Sequence, residues 1–229
     1  MIDCGPKTEH FDAGERVISP KLRALGIDRI DLPVLTHPDM DHIGGLAGIS
    51  KRFSITKVLL PNYFTMHPAI LEQLSASGMG KGDLISIVDH QRIRISDLTF
   101  QLFLPDWDSA FSDNEGSLVM QMFHKESPVA VFSGDLGSDG EIELVREMSN
   151  GSPILMAGHH GSSNSTSAAW LRDSHPKYVV ISCGAGNIYG HPAAETLDRI
   201  GQSKAEILRT DRLGDIYFQV QNGRIERQR

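Results

Sequence analysis

No stretch of this sequence approaches the roughly 18 consecutive apolar residues that a membrane-crossing helix needs, so no transmembrane segment is expected in the chain. Its first residues, MIDCGPK, lack a basic region followed by an apolar one, and no export signal is expected there. Cysteine is scarce. Cys4 and Cys183 are the only two in 229 residues, which excludes a disulfide scaffold and points to a reducing, cytoplasmic compartment. Either thiol can ligate a metal, but a small buried residue is the simpler reading of each. Basic residues are outnumbered, 22 against 29 acidic ones, for a net charge of −7. That balance disfavours a surface built to grip long nucleic acid by neutralising phosphates, although a local basic patch or bound cations would offset it. There are also no internal repeats, low-complexity segments or linkers. Residues 1–229 therefore read as a single domain, and 40% hydrophobic content is enough for one substantial core.

What the chain does have is a dense donor cluster. Thr36 to Gly45 reads THPDMDHIGG and packs His37, Asp39, Asp41 and His42 into six positions. Imidazole and carboxylate are the side chains that bind zinc, manganese or iron at neutral pH. The apolar run Leu32 to Leu35 before the cluster reads as a buried strand, and Ile43 to Ile49 as a short helix with its amino end facing the loop. Strand ends that face helix starts are where α/β folds place ligands. Gly44 and Gly45 are costly inside a helix, so close packing of backbone is expected there.

Later segments repeat the strand-then-donor arrangement. VFSGDLG puts Asp135 after a strand; AGHHGSSNS puts His159, His160, Ser162, Ser163 and Ser165 after another; ISCGAGNIYGHP leads through a glycine-rich loop to His191; RTDRLGDI follows from Arg209. Together with H-x-D-x-D-H-x-x-G-G, this order resembles the metallo-β-lactamase superfamily, and within it the metallo-hydrolase domain of the ComEC-type DNA-uptake proteins and their free-standing relatives. The resemblance runs from about Met1 to Ile216. Asp39 departs from the common H-x-H-x-D-H form, and no third ligand histidine lies between His90 and His124. Instead, Asn114 and Ser117 match an N-x-x-S pattern of the resembled family.

The resemblance implies an α/β (α+β) chain folded as a four-layer αββα sandwich, with the ligands gathered at one edge. It also implies that one or two opening strands are missing: MIDCG matches the strand that follows them, so either the start is truncated or something else covers that edge. Further along, 91–95 and 98–104 alternate apolar and polar residues and read as paired strands, and 118–123 with 129–132 as a hairpin. Helices are expected over 17–25, with Pro20 in the first turn, and over 69–77, 140–148, 168–171 and 193–200. Residues 215–220 are expected to finish the sheet, and the terminal IERQR to fray.

As metal ligands the resemblance suggests His37, Asp39, Asp41, His42, Asp135 and His159, with Asp135 bridging two divalent ions, zinc or manganese. Asp41, His160 and His191 are the catalytic candidates, and Asn114, Ser117 and Ser162 the substrate contacts. The reverse assignment of His159 and His160 is open, and His191 can also be a ligand. Asn114 and Ser117 also fit a plain turn and strand start, and the serines a helix cap. His67 and His90 read as ordinary surface or half-buried histidines. Such a metal pair suits hydrolysis: it acidifies water near pH 7 and stabilises entering and leaving oxygens. A phosphodiesterase or nuclease acting on a phosphodiester, DNA included, is the first expectation. A small-molecule ester, lactone or lactam hydrolase, and a metal-poor binding domain, are the alternatives. Composition gives no oligomeric state.

Overall fold

Short apolar strands, each closed by proline, glycine or a polar turn, alternate with short helices to give a mixed α/β fold. The computed structural model describes residues 1–108, 111–148, 151–221 and 224–228. It divides into two units: Met1–Asp89 with Ser109–Leu118, and His90–Asp108 with Val119–Arg229. Residues 109 and 110 of the polar stretch before Asn114, and Arg229 of the tail, lie outside the described residues.

In the first unit the backbone runs as parallel strips. Ile2 bridges Val34, Val34 bridges Leu59, and β1 (Val58–Pro61) pairs in parallel with β2 (Leu84–Ile87). The run 32–35 is thus a single bridged strip and not a full strand. All four residues of β1 are buried, as a strand covered on both faces requires. A turn at Gly14–Ile18 feeds α1 (Ser19–Ala24), whose Pro20 sits at the first turn as expected, and Gly26 follows it at φ +74°. The donor motif is itself helical: α2 spans Met40–Ile43 and α3 Leu46–Ser50, with α4 at Pro68–Ala76. The helix expected over 43–49 therefore starts three residues early and is broken in two. Gly44 and Gly45 lie at the break. A Cβ on Gly45 would run into the Cys4 carbonyl, and one on Gly44 would crowd the Lys7 backbone.

The second unit is one seven-stranded sheet with helices on it. In chain order it contains β3 (Gln91–Ile95), β4 (Leu98–Phe103), β5 (Val119–His124), β6 (Ser127–Phe132), α5 (Ser138–Leu144), β7 (Ile154–Met156), α6 (Ala168–Ser174), β8 (Tyr178–Ile181), α7 (Ala194–Gln202), β9 (Glu206–Arg209) and α8 (Thr210–Leu213). Strands β3 to β9 lie in sequence order; β3 to β6 pair antiparallel and β6 to β9 parallel. Val131, Leu155, Val179 and Ile181 pack on one face with Trp170 and Ile200 from the helices. Ala130, Ile154 and Val180 point to the other face and meet Phe218, Val220 and Ile225.

Those last residues correct two expectations. Residues 215–220 do not extend the sheet, and residues 225–228 of the tail do not fray: β10 (Tyr217–Gln221) pairs antiparallel with β11 (Arg224–Gln228) in a separate two-stranded sheet. Alternation explains it. Phe218, Val220 and Ile225 share one side of the ribbon and cover the sheet, while the residues between them are exposed. Because β6, β7, β8 and β9 are parallel, their carboxyl ends all open on one edge, and the polar segments noted in the sequence leave from there.

Candidate metal centre

In the first unit a carboxylate outside the motif organises the motif. Asp3 leaves the strip paired to Val34, and its Oδ1 accepts the Thr36 backbone N–H at 2.9 Å while Oδ2 accepts the Thr36 hydroxyl at 2.9 Å. Oδ2 also lies 2.7 Å from His42 Nδ1, and Thr36 Oγ1 lies 3.0 Å from His37 Nδ1. A carboxylate accepts, so His42 Nδ1 carries a hydrogen. The Thr36 hydroxyl spends its proton on Asp3, so it accepts from His37 Nδ1. Both imidazoles therefore hold their proton on Nδ1 and their lone pair on Nε2, the state a metal ligand needs. The two rings are buried and stand 4.1 Å apart, tilted by 54°. Asp39 takes an extended conformation (ψ 142°) ahead of α2, with Oδ2 3.8 Å from His37 Nε2. Asp41 falls in the first turn of α2 and His42 in its last.

In the second unit Asp135 follows β6 through Gly134, a left-handed residue at φ 52° that turns the chain at the sheet edge. Its side chain is 3% exposed. His159 Nε2 lies 3.7 Å and His160 Nε2 4.0 Å from Asp135 Oδ2, and the His191 ring is 5.7 Å from that of His159. His159 and His160 both take left-handed backbone angles (φ 46° and 53°), which is costly for residues with a Cβ. The surroundings hold the turn. His159 N–H donates to Gly134 O at 3.1 Å, Ala193 N–H to Gly161 O at 2.9 Å, and the Thr196 hydroxyl to Ser162 O at 2.7 Å. His160 Nδ1 donates to Ser182 O at 2.8 Å, which again leaves the lone pair on Nε2. Partial burial, then the neighbouring His159 and His160, hold His191 below the usual imidazole range, with Asp135 opposing.

The remaining candidates divide clearly. Ser117 N–H donates to Asn114 O at 3.0 Å within a short turn, with Ser117 buried and Asn114 half-buried. The Ser162 hydroxyl oxygen accepts the Asn164 N–H at 3.4 Å, while the buried Ser165 donates to Gly158 O. The cap of α6 is Ser167, which accepts from Trp170 N at 3.1 Å, and not one of the three serines nearer the histidines. Burial pushes the Cys4 thiol up, so it stays protonated and is a packing residue. His67 pairs with Asp113 at 3.2 Å and His90 with Glu147 at 2.8 Å, as ordinary surface histidines do. Arg209 grips Asp211 with two bonds, and the Thr210 hydroxyl donates to Cys183 O at 2.9 Å, so RTD latches the loop after β8. Asp3 and Thr36 are functional residues that the motif pattern alone does not single out. The signal available was a carboxylate at the exit of the opening strip.

A family model described as the metallo-beta-lactamase superfamily matches residues 1–185. "ComE operon protein 3" of Bacillus subtilis (strain 168) is 32% identical over 220 residues, covering 94% of this chain and 28% of that protein. "Competence protein ComA" of Neisseria gonorrhoeae is 30% identical, covering 95% of this chain and 29% of its own length. The chain thus spans under a third of the curated relatives it matches. Among solved structures, the metallo-beta-lactamase fold protein YhfI of Bacillus subtilis superposes with a TM-score of 0.55 at 10% identity, covering 91% of this chain and 82% of that one. CmlA, a diiron beta-hydroxylase from Streptomyces venezuelae, gives 0.54 at 13% identity over 80% of this chain and 44% of its own. At such identities these two show the fold. Among the described residues, no helix is long and apolar enough to cross a membrane.

Proposed function

Because the chain belongs to the metallo-beta-lactamase superfamily and is similar to competence proteins, we propose that it is a metal-dependent hydrolase of phosphodiesters, a nuclease. The observation that carries this reading is the second unit's edge, where two histidines stand within 4.0 Å of one buried carboxylate. A buried carboxylate flanked by two imidazoles, one of which has its lone pair directed by an Nδ1 bond, calls for a cation. On this reading residues 1–229 are one metallo-hydrolase domain. His37, Asp39, Asp41, His42, Asp135 and His159 hold two divalent ions, zinc or manganese.

When bound, such ions acidify water and neutralise charge on a phosphoryl oxygen. The chain's own residues do the rest. Asp3, directly and through Thr36, keeps His42 and His37 in the ligating tautomer. His160, tethered by Ser182 O, gives a proton to the leaving oxygen from Nε2, and Asp135 stabilises its imidazolium form. His191, biased toward the neutral form by partial burial, contacts the substrate. Ser162, whose oxygen already accepts from Asn164, turns its proton to a phosphate oxygen, and Asn114 and Ser117 orient another. The Ser182 tether also favours a second reading in which His160 ligates and His159 is the acid. A half-buried Cys183 and a buried Cys4, both free thiols, suit a reducing compartment such as the cytoplasm.

The test is metal content by mass spectrometry after loading with manganese or zinc, followed by assays on labelled single-stranded DNA, bis(p-nitrophenyl) phosphate and a chromogenic lactam. Cleavage of the two phosphodiesters, abolished in folded Asp41→Ala and Asp135→Ala proteins, is expected. Lactam turnover alone would make the chain a small-molecule hydrolase, and a loaded preparation inert on all three would make it a binding domain.

A further inference from the structure

The loop between β8 and α7 holds two large side chains out in water beside the donor cluster. Ile188 is 91% exposed and Tyr189 73% exposed. Single exposed apolar residues need no explanation, but this pair sits on a segment that is tied down. Asn187 Oδ1 accepts the His191 N–H at 2.9 Å, and its Nδ2 donates to His191 O at 2.6 Å and to Gly184 O at 3.0 Å. One side chain thus pins both ends of the segment, and Gly186 and Gly190, at φ +66° and +69°, let it turn sharply. Ile188 and Tyr189 are the projecting tip of a braced loop.

The Tyr189 ring is also in line with the site. It stacks on His191 at 5.9 Å with the planes 17° apart, and His191 stands 5.7 Å from His159, which in turn lies 3.7 Å from Asp135. Two ring-to-ring steps, each under 6 Å, therefore lead from the metal-ligand candidate to a phenol ring in solvent. A strand bound at the donor cluster and running past His191 presents one of its bases to the Tyr189 ring. An exposed aromatic ring backed by a second ring is the platform on which unpaired bases stack. Such stacking is tolerant of sequence and suits a chain whose net charge is −7.

We propose that Tyr189, supported by His191 and flanked by Ile188, is a stacking platform for one unpaired nucleobase, so that the site takes single-stranded nucleic acid. This deepens the phosphodiesterase reading and rests on it. A duplex keeps its bases stacked on each other and cannot use the platform.

The test measures binding without turnover, by fluorescence anisotropy in EDTA with the full chain. The probes are a labelled octamer of deoxythymidine, the same octamer with abasic residues, and the corresponding duplex. Tyr189→Ala is expected to weaken octamer binding by roughly 5- to 150-fold, the range for one base on one aromatic ring, and to leave abasic binding within about twofold. Tyr189→Phe should bind as wild type, since the ring and not the hydroxyl does the stacking. Equal loss on the octamer and its abasic form, or wild-type binding by Tyr189→Ala, overturns the platform. If wild type still cleaves the octamer when loaded with metal, the hydrolase reading survives that result. A wild-type chain that neither binds nor cleaves the octamer overturns both.

Discussion

The Asp3 carboxylate sits 2.7 Å from His42 Nδ1, joining a strip at the start of the chain to a ligand candidate 39 residues later. The same carboxylate accepts the Thr36 hydroxyl that faces His37, so one charge sets the tautomer of two imidazoles. Partners of this kind tune metal affinity without touching the metal. Asp3→Asn keeps an acceptor for the Thr36 N–H but loses the charge, and should lower metal affinity by roughly 10- to 100-fold. Competition against a chelator checks this, with melting temperature as the control for folding. An unchanged dissociation constant in a folded variant means His42 needs no orienting partner.

Asp39 makes a different claim, about which metal. A carboxylate where the superfamily usually has an imidazole makes the donor set harder, so manganese should compete better with zinc, although intrinsic affinity still favours zinc. Asp39→His is expected to shift metal-dependent activity toward zinc. Superimposable manganese and zinc activation curves for the two proteins would remove Asp39 from the ligand set.

Much of this site was legible because its residue types are rare at strand exits. His37 to His42 and Asp135 stand out against the apolar runs before them, and the alternation in 91–95 and 98–103 is strong enough to give both the strands and their pairing. Helix α2 was not legible, since four residues are too few to show a period, and its start depends on the extended backbone of Asp39. The β10–β11 ribbon was missed for a related reason: Ile225 is the only apolar residue in β11, so the segment resembles a charged tail until its partner strand is known. Asp3 acts on residues more than thirty positions away, so its place at a strand exit marks it as a candidate without showing which residues it serves. Ser167 was hidden among five serines between 162 and 174, of which only the geometry tells the cap from the rest.

The segment between the two histidines and α6 closes on a buried acid. Glu141 is fully buried, with its carboxylate accepting the Thr166 N–H at 2.7 Å and the Ser167 N–H at 2.6 Å, ahead of α6. Burial outweighs these bonds and the nearby Arg199, and raises the carboxyl from 4.5 to about 7. The folded chain therefore holds a proton that the unfolded chain releases across this window. This contribution to stability is fully present below about pH 4.5 and is lost as pH rises through about 7. Glu141→Gln should melt lower at pH 5, since an amide presents one acceptor to two N–H groups at a cost of about 1–3 kcal/mol, or roughly 2–4 °C for each kcal/mol. Between pH 5 and 8 its melting temperature should fall less steeply than that of wild type. Parallel melting curves across that range would place the titration elsewhere.

The two histidines of the left-handed turn give the sharpest test of the chemistry. His159 and His160 are 3.7 and 4.0 Å from the same Asp135 oxygen, so distance does not divide their duties. If His159 ligates and His160 protonates the leaving oxygen, His160→Ala should keep its metal and slow turnover by roughly 10²–10⁴-fold, the range for a positioned acid. The loss should be smaller with a nitrophenyl phosphodiester, whose leaving group departs without a proton. His159→Ala should instead lose metal. Metal loss in the His160 variant alone would reverse the two roles and give the Ser182 tether to a ligand. Metal loss in neither would pass the ligand position to His191, whose imidazole is shifted by burial and its histidine neighbours toward the neutral form that ligation requires.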